Sequence, residues 1–543
     1  MALPLSRFGF TLLVVIAGMA IAAQVQAQFG PRPDSISTAL REQLQSPGIT
    51  TIGSDLNWPL LNEFYASVQY QPLWVNALGP IPKALQWRRL LQAANLEGLD
   101  PRHYHSVEIA EYWHSEVPWK LASLDLLLTE AFLRYSVDVR HGHLAPGEVD
   151  PLWNIPRSKA DPLALLRGTL IKADFEAAVR DLPPPHLGYQ RLRQALAQYQ
   201  ELARLGGWPP LAPGQWLEYG VSDPEVRFLR KRLMIEGDLE LRPVRDELIF
   251  DRALRHAVER FQVRHGLKMD GVVGPATRTA MNVPVSQRIE QIKLNMDRWR
   301  WLPRELGERY IMVNTAGYEL AAIENNRPIF TMWVIIGTPE RQTPVISGKL
   351  HTVVFNPYWT VPPTILFEDM LPAQQYNPNF LASRGIRVFT NHSNAQELDP
   401  RKINWRKVDK KHFPYVLRQD PGATNPLGRI KFLFSNEYNI YLHDTPKQRL
   451  FNRTERAFSS GCVRVEDPVQ LAEFVLGAED GWDQSQIMET INSDQVRGVK
   501  VEQDVPVYLV YWTAWVAEDE AVFFRPDVYA VDHKNGMALS PKL

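Results

Sequence analysis

The spacing of apolar residues changes twice along the chain. From about Asp34 to Gln200 they recur every three or four positions, most clearly in Asp125–Tyr135 and Tyr189–Tyr199, which predicts a mainly helical region. The three prolines Pro183, Pro184 and Pro185 interrupt that pattern. A second helical unit follows, with Val226, Leu229 and Leu233 on its first helix and Leu254, Val258 and Phe261 on its second. A further helix is predicted over Arg288–Trp301, and then the composition turns to that of strands. Strands are predicted at Tyr310–Asn314, Glu319–Ile323, Phe330–Ile336 and His351–Phe355, and again at Ile430–Phe434 and Asn439–His443. Two more are predicted in the tail, within Val505–Val516 and Ala521–Val531. Between 366 and 428 the pattern weakens into prolines, asparagines and short helical pieces, and a stretch of that length inside a β region signals an insertion or lid. The expected fold class is multidomain α+β: a mainly β domain with a helical and irregular insertion, a small three-helix unit and an α-helical N-terminal scaffold.

The first 27 residues follow another logic. Arg7, the apolar run Phe8–Ala23 and the small-x-small triplet Val25-Gln26-Ala27 read as an export signal, with a mature chain from Gln28. The run is short against the roughly 20 residues of a spanning helix, so no stable membrane insertion is expected after cleavage. The expected location is the periplasm or cell envelope. A chain of 543 residues with 45% apolar and 22% charged residues has material for several cores, and a net charge of −1 without blocks of like charge argues against nucleic-acid binding.

Cysteine usage narrows the chemistry. An exported chain with a single cysteine, Cys462, has no intramolecular disulfide and no multi-cysteine metal site, which leaves a reactive thiol or a small buried hydrophobe. His443 closes an apolar strand nineteen positions earlier (462 − 443), enough for a loop that folds back. Ser459-Ser460-Gly461 suits a tight turn that aims the N–H groups of Gly461 and Cys462 at a developing oxyanion, which Tyr441, on the face of His443, can assist. Arg464, two residues beyond the cysteine in an extended segment, is placed to bind a substrate carboxylate. Taken singly, each of these has a bland reading as a core, strand-end or surface residue; the joint occurrence favours chemistry. Asp444 follows His443 directly and so faces away, which makes a backbone carbonyl the expected partner of the imidazole. His141 and His143 have no further ligand cluster after them, and neither a metal nor an organic cofactor is expected.

The segment Tyr441-Leu-His443-Asp-Thr-Pro446 with Ser459-Ser-Gly-Cys-Val-Arg464 closely resembles the catalytic motif of the L,D-transpeptidases of the YkuD type. The likeness extends to Ile336-Gly-Thr-Pro339, Thr343-Pro344 and Asn356–Pro362, and the insertion and helical N-terminal region resemble the large, multidomain branch of that family. Ser460 stands where many members have a second histidine. Phe261-Gln262, Gly266-Leu267 and Asp270-Gly-Val-Val-Gly274, with Thr277 free to begin or cap a helical turn, resemble the peptidoglycan-binding domain of cell-wall enzymes.

The resemblance implies Cys462 as nucleophile, His443 as base and Ser460, Trp359 and Arg464 as substrate-binding positions. It implies peptidoglycan stem peptides, donor and acceptor, as partners of a monomeric enzyme that forms 3→3 cross-links through a thioester and releases D-alanine. An L,D-carboxypeptidase and an inactive wall-binding scaffold are the alternatives. The expected boundaries are a signal peptide at 1–27, the scaffold at 28–215, the peptidoglycan-binding domain at 216–283 and a connecting helix at 284–307. The catalytic domain is expected at 308–480 and a C-terminal helix and strands at 481–543, packing on the catalytic or scaffold domain.

Overall fold

In the computed structural model, residues 34–46, 52, 56–391, 396–477 and 481–532 are described, and the export signal expected at 1–27 lies outside them. The chain divides into two compact units: the described residues up to 145 with 157–207 and 285–304, and 146–156 with 208–284 and the described residues from 305 onward.

The first unit is helical and is organised on Pro118–His141, a helix whose side chains are buried on nearly every side from Leu121 to Tyr135. Helices apolar all round belong at the centre of a bundle. Its buried Asp125 accepts the N–H groups of Leu73 (2.9 Å), Trp74 (2.6 Å) and Val75 (3.0 Å), along with the Tyr65 hydroxyl, so the carboxylate is satisfied without water. The predicted connecting helix, observed as Val285–Arg300, packs within this unit against Leu187–Arg204. It buries Ile292, Leu294 and Met296, and Arg300 binds Asp297 (2.7 Å) and the Tyr189 hydroxyl (2.8 Å). Among the described residues no helix is long and apolar enough to cross a membrane.

The second unit contains a large sheet. In chain order its first strands are β1 (Trp153–Asn154), β2 (Arg309–Asn314), β3 (Glu319–Glu324), β4 (Arg327–Gly337) and β5 (Val345–Phe355). An insertion then contributes β6 (Trp359–Thr360), β7 (Ile386–Thr390), β8 (Glu397–Leu398) and β9 (Tyr415–Gln419). The sheet resumes with β10 (Ile430–Phe434), β11 (Leu442–His443), β12 (Ala457–Ser459), β13 (Val463–Val465) and β14 (Arg497–Val510), and a hairpin of β15 (Ala514–Val516) and β16 (Val522–Phe524) follows. The order across the sheet is β10-β11-β13-β4-β3-β2-β14-β5-β1, with β12 added beside β4. Because β10 also pairs with β5, the strands close on themselves and leave few free edges. The predicted tail strands differ from those observed: β14 begins at Arg497 and lies between β2 and β5, inside the sheet. The predicted strand Asn439–His443 shrinks to its last two residues, because Asn436 ties the preceding loop by bonds to the N–H and C=O of Ile440.

The insertion combines its helical pieces with a small sheet of its own, β8-β7-β9-β6, over a core that includes Trp359, Leu381, Val388 and Leu417. It also holds a π-helical turn at Leu366–Met370.

The helices Glu225–Ile235, Arg252–Arg264 and Pro275–Met281 form the small helical domain, whose core includes Val226, Leu229, Leu254, Val258 and Phe261. Buried Gln262 is its hub. Its Oε1 accepts from the N–H groups of Asp270 (3.0 Å) and Gly271 (2.9 Å), while Nε2 donates to Asp270 Oδ1 (2.8 Å), Val272 O (3.0 Å) and Thr277 Oγ1 (3.1 Å). Thr277 is therefore not a cap: Gly274 occupies the N-cap, and the threonine hydroxyl is spent on Gln262 and the Val272 carbonyl. The domain meets the tail hairpin through Arg264 Nη1 to Val522 O (2.7 Å) and Arg525 Nη1 to Arg264 O (2.8 Å). Replacing Gln262 by Ala leaves two N–H groups without their acceptor, a loss of about 1–3 kcal/mol. The expected outcome is amide hydrogen exchange at Asp270 and Gly271 faster by about 10- to 100-fold, read by mass spectrometry on the full chain.

Candidate active site

The site is built by register. β11 runs parallel to β13 with Leu442 opposite Val463 and His443 opposite Arg464, while on its other side Phe432 and Lys431 of β10 face Leu442 and His443. Residues opposite one another share a face and neighbours along a strand alternate. Phe432, Leu442 and Val463 thus form a fully buried row on one face, and Lys431, His443 and Arg464 form a row on the other. Tyr441 and Cys462, each two positions earlier, stand on this second face, and the Val463 N–H to Tyr441 C=O bond (3.2 Å) carries the pairing back to them.

Side-chain chemistry follows from burial. His443 is buried, and its Nδ1 lies 2.5 Å from the Asp444 carbonyl oxygen, which can only accept; Nδ1 therefore carries the proton and Nε2 keeps its lone pair. Burial, helped by the Arg464 cation, pushes the imidazole down to about 3. The Asp444 carboxylate points elsewhere, accepting from the N–H groups of Arg429 (2.7 Å) and Thr445 (2.6 Å). Cys462 is partly exposed, with Sγ 3.9 Å from the Asn439 carbonyl. Burial raises its thiol above the ordinary value, against hydrogen bonding from Tyr441 and the pull of Lys431 and Arg464. Burial also raises the Tyr441 phenol, which stays a proton donor. The resting pair is a neutral thiol and a neutral imidazole.

The turn before Cys462 is held from several sides. Gly461 has φ +112°, a region that favours glycine. Ser459 Oγ donates to the Cys462 carbonyl (2.6 Å) and accepts the Gly461 N–H (3.1 Å), and Thr343 Oγ1 donates to the Gly461 carbonyl (2.8 Å). Thr343 in turn accepts the Gly337 N–H (2.9 Å), and the Tyr529 hydroxyl donates to the Gly337 carbonyl (2.8 Å) and accepts the Thr343 N–H (3.2 Å). At Gly337 a Cβ would lie 2.0 Å from the Arg341 carbonyl oxygen, so the loop closes only over glycine.

One sequence expectation changes. The Gly461 N–H is already used by Ser459, whereas the Cys462 N–H is unpartnered among the described residues. Trp359 is 6% exposed and belongs to the core of the insertion, against which Tyr441 packs. Ser460 is exposed and accepts from Arg341 (3.1 Å), whose guanidinium also binds Glu368 (2.8 Å) and Asp369 (2.7 Å) of the π-helical turn. Lys431, Arg341 and Tyr529 are not singled out by the sequence and reach the site by pairing or hydrogen bonds across long separations. Ser459 and Thr343 lie in the motifs, which do not disclose their bracing of the turn. His143, considered for metal, binds Asp138 (3.1 Å) and stacks on His103.

A thiol, a neutral imidazole and a braced glycine turn on one face of a mainly β domain define a cysteine–histidine site. Residues 308–502 match the family model of the L,D-transpeptidase catalytic domain, 222–281 that of a putative peptidoglycan binding domain and 59–196 that of a scaffold domain. The chain therefore carries a YkuD-type L,D-transpeptidase catalytic domain together with a peptidoglycan-binding domain. Over 261 residues it is 37% identical to a putative L,D-transpeptidase of Haemophilus influenzae, covering 48% of this chain and 52% of that protein. The chain thus spans about half the length of the curated relative it matches. A solved L,D-transpeptidase structure from Xylanimonas cellulosilytica aligns at 19% identity and TM-score 0.17, over 56% of this chain and all of the other. One from Stackebrandtia nassauensis aligns at 13% identity and TM-score 0.21, over 56% of this chain and 96% of the other. Likenesses at those scores add nothing to the family match.

A neutral resting pair has a pH consequence. Because the thiol is raised, the thiolate fraction at neutral pH is below that of a free cysteine. Iodoacetamide labelling of Cys462 is expected to climb with pH through a midpoint above the ordinary thiol value. A plateau already reached near neutrality would instead show a thiolate–imidazolium pair.

Proposed function

We propose that the chain forms 3→3 cross-links in peptidoglycan through a thioester on Cys462. The observation that carries this reading is a thiol on the same sheet face as an imidazole whose Nδ1 proton is committed to a carbonyl, within an L,D-transpeptidase domain. Sγ attacks the carbonyl of the third residue of a donor tetrapeptide and its proton passes to His443 Nε2. The carbonyl oxygen takes up the displaced electron pair and is met by the Cys462 N–H and the Tyr441 hydroxyl. Collapse breaks the amide to the fourth residue, the imidazolium returns its proton to the leaving nitrogen, and D-alanine departs. The side-chain amine of a second stem's diamino acid then attacks the thioester, gives a proton to His443 and releases the thiol. One amide is exchanged for another, so the reaction calls for no cofactor. Its substrate lies in the cell envelope, where the expected export signal would deliver the chain.

The insertion supplies a second requirement, exclusion of water from the thioester. Arg341 joins its Glu368 and Asp369 to the Ser460 hydroxyl beside the nucleophile, so the insertion is fastened at the site.

The chain from Gln28 onward, incubated with tetrapeptide muropeptides and read by mass spectrometry, is expected to yield dimers lacking one D-alanine, and Cys462→Ala none. Tripeptide monomers without dimers would make the protein an L,D-carboxypeptidase; no cysteine-dependent product would leave a wall-binding scaffold. The double variant Glu368→Gln, Asp369→Asn is expected to raise the ratio of hydrolysis to cross-linking by about two- to fivefold, in keeping with partly exposed ion pairs of about 1 kcal/mol. An unchanged ratio would remove the lid role.

A further inference from the structure

Several buried cations of this protein have counter-ions. Arg232 binds Glu236 (2.6 Å), Arg300 binds Asp297 (2.7 Å) and Arg264 binds Asp238. The nucleophile's face of the sheet differs from these. Lys431 and Arg464 flank His443 in one row across three adjacent strands, and among the described residues neither has a carboxylate within ion-pair distance. Lys431 Nζ lies 3.8 Å from the centroid of the Tyr441 ring. Arg464 Nε is buried without a hydrogen-bond partner. Burial lowers both cations from their ordinary values, and the only group attracting either is a Cys462 thiolate. With Cys462 protonated and His443 neutral, neither cation has an anionic partner among the described residues, and the carboxylates near Ser460, Glu368 and Asp369, are taken by Arg341. Two partly desolvated cations with no counter-ion are costly unless an anion arrives to pair with them.

We propose that Lys431 and Arg464 together bind a carboxylate of the incoming donor peptide, so that the site selects stems with a free carboxylate beside the attacked carbonyl over stems amidated there. The identity of the donor rests on the transpeptidase reading; the anion site does not. Lys431 acts here as a specificity residue, placed by its pairing opposite His443. The row geometry puts one cation on each side of the imidazole, so a carboxylate held by both lies across His443, with the neighbouring carbonyl toward Cys462 in the adjacent row.

Cys462 is the only thiol in the chain, so alkylation reports this site alone. The experiment compares the rates of labelling by iodoacetate, an anion, and iodoacetamide, its neutral analogue, at one pH, for wild type, Lys431→Gln and Arg464→Gln. Taking the ratio of the two rates cancels any change in thiolate fraction. Each variant is expected to lower the iodoacetate-to-iodoacetamide ratio about fivefold, the scale of one lost charge contact in a partly buried site. Acetate is expected to slow iodoacetate selectively in wild type. A ratio the same in all three proteins overturns the proposal, and should Arg464→Gln not fold, Lys431→Gln decides alone. In parallel, wild type is expected to prefer a free-carboxylate donor tetrapeptide over its amidated form, and Lys431→Gln to lose that preference. If the ratio falls but no peptide product forms, the anion site stands and the transpeptidase reading fails. Cross-linking with an unmoved ratio gives the reverse.

Discussion

The site depends on one register, that of two short parallel strands. β11 has two residues and β13 three, yet their alignment decides which side chains share the face of Cys462 and which enter the core. A slip by one position would turn His443 and Arg464 inward and bring Leu442 and Val463 out, because side chains alternate with a period of two. The fully buried row Phe432, Leu442 and Val463 makes that slip expensive. The hydrophobic effect on one face thereby positions the polar chemistry on the other.

Register fixes the strands, and hydrogen bonds fix the turn between them. Ser459, Thr343 and Tyr529 hand support from the tail, through the Gly337 loop, to the carbonyl of Gly461. These groups are distant in sequence but form one connected chain of donors and acceptors. The effect is a cysteine on a stiff mount whose own N–H remains available. The same buried setting keeps thiol and imidazole neutral, so the site holds its reactivity as an arrangement of donors and cations, without a standing ion pair.

What the sequence disclosed follows from what is local. Helical spacing marked the long central helix, because its burial on all sides shows directly in the run from Leu121 to Tyr135. Cys462, His443, Tyr441 and Arg464 were legible since two short segments contain them all, and alternation puts Tyr441 with His443 on one face of the first and Cys462 with Arg464 on one face of the second. Long-range pairing was not legible. Nothing in Ile430–Phe434 says that Lys431 sits opposite His443, and nothing in the tail says that β14 lies between β2 and β5. Motif residues also concealed structural duties. Thr277 looked like a cap and answers Gln262, Trp359 packs in the core of the insertion, and Asn356 donates from its buried amide to the Ile491 carbonyl (3.0 Å).

The place of β14 has a consequence for how the protein comes to exist. It is synthesised after the cysteine, yet it fills the gap between two strands that leave the ribosome well before the cysteine does. Until it arrives, β2 and β5 have no common neighbour and the sheet stands open. Such late, non-local closure is slow compared with the helical regions, which fold on local contacts. The thiol is therefore made early and seated late, and a nascent or truncated chain carries the cysteine without the closed sheet that positions it.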